Sequence, residues 1–209
     1  MFSVMNKNRR YNLPIDMQLD LFDNIIMPIV LYGCEAWGFS NLKILETLHL
    51  KYCKIVLKLK STTPDVMVYG ETGRFNIEYY AKKRIVNYWS TLACGNKKKL
   101  AYIVFDLCKQ RYESTPSKPS SEWFENLASM LNNGGINPIP NQEETVKTVV
   151  KQMHTNKKIE YIRNWTDNVN TAPKCSVLYR HVKVIFEREY YITSLPNNLR
   201  RAISRIRTC

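Results

Sequence analysis

The apolar side chains of this 209-residue chain recur mostly at intervals of three and four residues, the spacing of one face of an α-helix. The clearest stripe lies in residues 41–60 and consists of Leu42, Leu45, Leu48, Tyr52, Ile55 and Leu59. The chain has no hairpin dipeptides between alternating apolar and polar residues, and no internal repeat. The spacing therefore predicts an all-α protein, a bundle of about seven to eight helices.

Two stretches have the composition of loops, and they divide the chain. Residues 114–121 read STPSKPSS, and residues 132–142 read NNGGINPIPNQ, which is the best linker in the sequence. We therefore expect a helical domain over 1–113, a loop, short helix and linker over 114–142, and a smaller helical C-terminal unit over 143–209. Within these regions the helical spacing continues over 122–131, 146–165, 177–186 and 197–207.

The first helix is predicted to begin at Pro14 and to have one acidic and one apolar face. The acidic face carries Asp16, Asp20 and Asp23, and the apolar face carries Leu19, Phe22, Ile25 and Ile26. Three carboxylates on one face are compatible with a metal site. Negative charge near a helix N-terminus explains at least the first of them more simply.

Net charge is the unusual feature of the composition. The chain has 31 Lys+Arg against 18 Asp+Glu, a net charge of +13 spread along its whole length. A positive folded surface attracts polyanions, and nucleic acid, the commonest of them, is the partner that the charge predicts. A basic helical module that binds an acidic protein is the alternative.

Three groups of basic residues are candidates for contact with a nucleic-acid backbone. The candidates are Lys51, Lys54, Lys58, Lys82, Lys83, Arg84, Arg200 and Arg201. The first three share the helix face opposite the apolar stripe, the next three are consecutive, and the last two lie on the C-terminal helix. Contact with phosphates needs only charge and reach, whereas base readout needs precise geometry. A solvated basic face remains the alternative interpretation of each group.

The sequence gives little support for catalysis. It has no glycine-rich phosphate loop and no H-E-x-x-H or G-x-S-x-G motif. His49 lies within an apolar helix and is expected to be a packed or rim histidine rather than a base, and Cys175 and His181 are a weak candidate for a dyad. We therefore expect no catalytic residues, no metal and no cofactor.

The six cysteines lack the C-x-x-C spacing of a zinc finger and fit reduced thiols in a nuclear or cytoplasmic protein. The longest apolar run, Ile25–Tyr32, has eight residues, far fewer than the roughly 20 of a membrane span. No membrane association is therefore expected.

Several segments of the chain carry more specific strings. Residues 32–39 read YGCEAWGF and residues 63–74 read TPDVMVYGETGR. Other segments are LPI at 13–15, FDNIIMPI at 22–29, YRHVK at 179–183 and RIRTC at 205–209. Together these segments resemble the region that follows the polymerase core in LINE-type (non-LTR) retrotransposon reverse transcriptases of animals, over nearly the whole chain.

The resemblance implies a helical thumb that holds the primer–template duplex against an active site on the palm and fingers. The polymerase site of that family uses an Asp-Asp element in the palm, and this chain has no Asp-Asp pair. Longer relatives continue into a Cys/His segment, whereas this sequence ends at Cys209. The resemblance therefore implies a non-catalytic C-terminal piece of an RNA-directed DNA polymerase. Its implied partners are primer–template nucleic acid, that is RNA or an RNA–DNA duplex, and the missing palm and fingers. An inactive relic of a mobile element, with exposed apolar surfaces, is the alternative.

Overall fold

The computed structural model of the chain describes residues 13–114, 121–139, 143–171 and 177–208, except for the side chains at 143–145, 197 and 201. The predicted all-α fold is confirmed. The helices run over Ile15–Leu21 (α1), Met27–Val30 (α2), Cys34–Trp37 (α3), Lys43–Val56 (α4), Asp65–Thr72 (α5), Ile77–Ala93 (α6), Leu100–Ser114 (α7), Glu122–Asn132 (α8), Glu143–Thr171 (α9), Val177–Val182 (α10), Tyr190–Ser194 (α11) and Asn197–Thr208 (α12). Within the described ranges the only β-pairing is a single antiparallel bridge between Thr72 and Arg188.

A π-helical turn, Phe22–Ile26, joins α1 to α2 without a break. The Met27 N–H bonds to the Phe22 carbonyl, five residues back. Pro28, which follows, has no N–H and its ring crowds the preceding turn, so a wider turn at this point accommodates it. The extra residue in the turn changes the helical phase. Ile25, which the spacing placed on the apolar face, is therefore exposed, whereas Phe22 and Ile26 are buried as predicted.

The described residues form two compact units. Unit 1 contains the described parts of 1–32, 43–77 and 160–209, and unit 2 contains 33–42 and the described parts of 78–159. Each unit combines segments that are distant in the chain. The long helix α9 contributes its first half to unit 2 and its second half to unit 1.

In unit 1, α4 packs against α1 and α5, while α11 packs on α1 and α10 on α12. The largest fully buried side chains of this unit are Tyr52, Tyr179 and Phe22. The Trp165 indole N–H, on α9, donates to the Val66 carbonyl at 2.8 Å. The helix predicted over 177–186 ends at Val182, because the chain then turns back and bonds to the end of α5 near Thr72.

In unit 2, α6, α7, α8 and the first half of α9 enclose one apolar cluster. Its members are Ile85, Val86, Trp89, Leu92, Phe105, Phe124, Leu127, Ala128, Leu131, Val146 and Met153. Ser121 caps α8 and accepts a hydrogen bond from the Phe124 N–H at 3.2 Å. The Trp123 indole N–H donates to the Glu35 carbonyl at 2.7 Å, which fixes the segment around α3 to this unit.

Candidate nucleic-acid interface

The Tyr69–Arg74 part of the TPDVMVYGETGR string lies inside unit 1. Gly70 is buried where a Cβ would lie 2.6 Å from Cζ2 of Trp165 and would also overlap the Tyr179 hydroxyl. Gly73 ends α5 with a φ of 62°, and a Cβ there would lie 2.7 Å from the Glu187 carbonyl carbon. Both positions require glycine because of close packing, so these residues serve the fold.

Arg74, the last residue of the string, is a buried arginine with internal partners. Its Nη2 donates to the Leu19 carbonyl at 2.6 Å and to the Asp23 carboxylate. Its guanidinium also lies over the Phe22 ring, 5.7 Å from the centroid. Arg74 therefore holds the helix of residues 15–30 to the end of α5, and its charge is not offered to a ligand.

Glu71 is the centre of a second buried polar network. Its carboxylate accepts hydrogen bonds from the Tyr191 hydroxyl and, at 3.2 Å, from Nε of Arg207. Arg207 also pairs with Glu189 at 3.1 Å, and Glu189 pairs with the buried Lys183. Burial raises the pKa of Glu71, although the Tyr191 hydrogen bond and the Arg207 charge oppose that shift. The network joins α5 to the C-terminal helices of the unit.

His49 is fully buried on α4, as a packed histidine should be. It stacks on Phe22, with ring centroids 5.1 Å apart, and Glu46 Oε1 lies 3.7 Å from its Nδ1, an ion-pair separation longer than a hydrogen bond. Burial alone would lower the pKa of His49, but Cys53 and Glu46 on the same helix outweigh burial and raise the pKa to about 9. Burial would raise the pKa of the Cys53 thiol, and His49 more than offsets this, so that the pKa is lowered. Both side chains are inaccessible, so the pair is not a reaction site as it stands.

The first predicted basic group, on and beyond α4, differs in surroundings from residue to residue. Lys51 is exposed. Lys54 pairs with Asp65 at 2.8 Å and donates to the Ser61 carbonyl at 3.1 Å, so its charge is partly neutralised within the fold. Lys58 lies beyond the end of α4, exposed, with a φ of 56°.

The second predicted group lies on α6, in unit 2. Lys82 pairs with Glu78 one turn earlier at 2.6 Å, with both side chains exposed to solvent. Arg84 is half-buried and lies against the Cys34 thiol. Lys83 is exposed and lies close enough to His154 of α9 to influence its titration.

The first half of α9 carries a stripe of exposed lysines that sequence reasoning missed. Lys147, Lys151 and Lys158 are exposed at intervals of four and seven residues, so that they share one face with His154. The stripe from Lys147 to Lys158 is about 17 Å long. Residues 145–159 contain no Asp or Glu, and this lack of acids is the signal that would have revealed the stripe.

His154 ties the stripe to α6. Its Nε2–H donates to Oδ1 of Asn87 at 2.8 Å, since an amide oxygen can only accept. Asn87 lies one turn beyond Lys83 on α6, so Lys83 stands beside the α9 lysines. We call Lys83, Lys147, Lys151, His154 and Lys158 the α9 stripe.

The third predicted group, on α12 in unit 1, is only partly described. Nη1 of Arg200 donates to the Ile192 carbonyl at 2.7 Å, so this arginine joins α12 to α11. The Arg201 side chain lies outside the described residues. The predicted groups thus belong to different units, and Lys83 lies beside the exposed lysines of α9.

Among the described residues, no three His, Cys, Asp or Glu side chains come together in a way that could hold a metal ion. Asp20 instead faces Arg188 at 3.6 Å, and Asp23 pairs with Arg74. No described helix has both the length and the apolar content needed to cross a bilayer. Cys175 and Cys209 lie outside the described residues.

Comparison with known proteins adds no assignment. No protein-family model matches the chain, and neither the curated proteins nor the solved structures include a significant match.

Proposed function

We propose that the chain is a non-catalytic C-terminal piece of a LINE-type reverse transcriptase that binds primer–template nucleic acid through backbone contacts. The observation that carries the binding part of this proposal is the α9 stripe. Four lysines from two helices converge on one exposed face, and α9 has no acid between residues 145 and 159 to neutralise them. The family assignment rests on the resemblance of the sequence strings.

The dimensions of the stripe suit a nucleic-acid backbone. Duplex DNA carries one negative charge per about 1.7 Å of helix axis, so a stripe of about 17 Å spans several phosphates. Lysines on a rigid helix can meet phosphates without reading bases, which fits a surface that must hold any template sequence. We expect binding to an RNA–DNA hybrid with steep salt dependence and little sequence preference.

The test compares two variants that have the same net charge. In the stripe variant, Lys147, Lys151 and Lys158 are each changed to Gln. In the control variant, the consecutive and exposed Lys97, Lys98 and Lys99 are changed to Gln. Affinity for an RNA–DNA hybrid is measured by fluorescence anisotropy across a salt series.

We expect the stripe variant to lose affinity at least tenfold and to reduce the slope of log affinity against log salt by about 3, one contact per lysine. The control variant should retain most of the affinity. Equal losses in both variants would show that only net charge matters, and salt-independent binding by the unmodified protein would overturn the proposal.

A second candidate function is a helical interaction module, and the outer face of α7 favours it. Leu100, Ile103, Val104 and Leu107 follow one another at helical spacing and are all exposed, Leu100 by 76%. An exposed apolar stripe of this kind is typical of a surface that contacts another polypeptide. In a polymerase fragment, the missing palm and fingers are one such polypeptide.

A further inference from the structure

His154 differs from the other members of the α9 stripe because it is the one imidazole among four lysines. It is half-buried between Lys151 and Lys158 of its own helix, and Lys83 and Asn87 face it from α6. The other helices that pack on this part of α9 contribute apolar side chains to the cluster, among them Phe105 from α7 and Phe124 from α8. The charged side chains named here beside His154, which are Lys83, Lys151 and Lys158, are all cations.

The hydrogen bond to Asn87 decides which nitrogen is open to protonation. Nε2 carries the hydrogen that it donates to Asn87, so in the neutral ring Nδ1 has the free lone pair. No described residue hydrogen-bonds to Nδ1. Burial lowers the pKa of His154, and the Lys83 charge lowers it further. Both effects disfavour the charged imidazolium in the unbound protein.

A polyanion lying along the α9 stripe would oppose the positive potential that lowers the pKa of His154. Its phosphates would offset the charges of Lys83, Lys151 and Lys158, and a phosphate oxygen would accept a hydrogen bond from a protonated Nδ1. Both effects favour the charged imidazolium, so binding raises the pKa of His154.

We propose that His154 is a proton-linked phosphate contact, which takes up one proton from solvent at Nδ1 when a nucleic-acid backbone binds along the α9 stripe. This inference rests on the proposed function. It adds a regulatory property, because the affinity of the surface then increases as pH falls. Linkage sets the size of the effect: one proton taken up changes the affinity by at most about tenfold per pH unit.

The experiment measures the affinity for an RNA–DNA hybrid between about pH 6 and about pH 8, the range that brackets the ordinary pKa of histidine. As pH rises, we expect the affinity of the unmodified protein to fall, by about three- to tenfold per pH unit over part of this range. His154→Gln should bind as the unmodified protein does at the upper end of the range and should show little further change with pH. His181→Gln is the matched control, since His181 is an exposed histidine in unit 1, and it should keep the pH dependence.

Calorimetry on the unmodified protein provides a second measurement that needs no variant. Titrations in two buffers with different ionisation enthalpies should reveal uptake of up to one proton per binding event. If no proton is taken up, or if His154→Gln keeps the full pH dependence, the inference is wrong, even where steep salt dependence still supports nucleic-acid binding. If the hybrid does not bind at any pH, the proposed function fails and the inference fails with it.

Discussion

Gly70 lies directly against the indole of Trp165, with no room between them for a side chain. A Cβ on Gly70 would lie 2.6 Å from Cζ2 of that ring, and it would also overlap the Tyr179 hydroxyl, which donates to the Met67 carbonyl at 3.1 Å. Helix α5 can therefore approach α9 and α10 only through a glycine at this position. This relationship explains part of the TPDVMVYGETGR string by packing alone.

We predict that Gly70→Ala lowers the free energy of unfolding by about 1–3 kcal/mol, because the added methyl overpacks a closed site. The direction is diagnostic, since Gly→Ala inside a helix normally stabilises a protein by about 1 kcal/mol. Urea unfolding followed by circular dichroism measures the change. Ser129→Ala, at an exposed position of α8, is the control and should change stability by less than about 0.5 kcal/mol. A stabilised Gly70→Ala variant would contradict the close approach.

The buried Arg74 should tolerate lysine poorly. A lysine at this position (Arg74→Lys) keeps the charge but lacks the planar guanidinium. Its ammonium group cannot bond to both the Leu19 carbonyl and the Asp23 carboxylate while lying flat over Phe22. We expect the unfolding free energy to fall by about 2–4 kcal/mol. Arg163→Lys, at an exposed position on α9, should be nearly neutral in the same urea titrations. Equal effects of the two substitutions would mean that the internal contacts of Arg74 contribute little.

The raised pKa of Glu71 predicts that its contribution to the stability of the protein falls as pH rises. Burial raises its pKa in the folded state, so the folded protein holds this proton more tightly than the unfolded chain does. The associated stability is fully present below the ordinary glutamate pKa, and it is lost as pH rises through the raised pKa. Compared with the non-titrating Glu71→Gln variant, the unmodified protein should therefore lose stability as pH increases from about 4.5 towards neutrality.

The measurement is the difference in unfolding free energy between the unmodified protein and Glu71→Gln at several pH values. Glu125→Gln, at an exposed position on α8, should show no such trend relative to the unmodified protein. A difference that grows in favour of the unmodified protein as pH rises would mean that Arg207 and Tyr191 outweigh burial at this carboxylate.

The exposed face of α7 gives a prediction about solubility. Ile103→Gln together with Leu107→Gln should change the unfolding free energy by less than about 1 kcal/mol, because both side chains already contact water. The same change should raise the concentration at which the protein begins to self-associate, as measured by light scattering. Phe105→Ala, on the buried face of α7, should instead cost about 3–5 kcal/mol. Severe unfolding of the double variant would show that this face is covered.

Much of the helical organisation could be predicted from residue spacing. The spacing predicted from residue 122 starts at the first residue of α8, because apolar periodicity is a local signal. The exposure of Ile25 could not be predicted in this way. Its orientation depends on the π turn before Pro28. That turn contains one residue more than an α-helical turn, and the apolar pattern of the sequence shows no sign of it.

The candidate site was harder to predict, since charges close in sequence need not be free in space. Lys54 and Lys58 look alike in the sequence, yet Lys54 pairs with Asp65, which is eleven residues further along the chain. The lysines of α9 are spread over twelve positions, so no short basic run marks them, and only their shared helix face with His154 brings them together. The partnership of Lys83 with this face depends on the packing of α6 against α9, which spacing along one helix does not reveal.

The Glu71 network has a consequence for shortened forms of this chain. Ser204 and Arg207 reach Tyr191 and Glu71 from the final helix, so removing that helix would strip the counter-charge from a carboxylate enclosed in the protein interior. Proteolytic trimming or premature termination before residue 204 would therefore damage the part of unit 1 around α5 and not merely shorten a tail. Unit 1 therefore depends on α12 to enclose the Glu71 carboxylate.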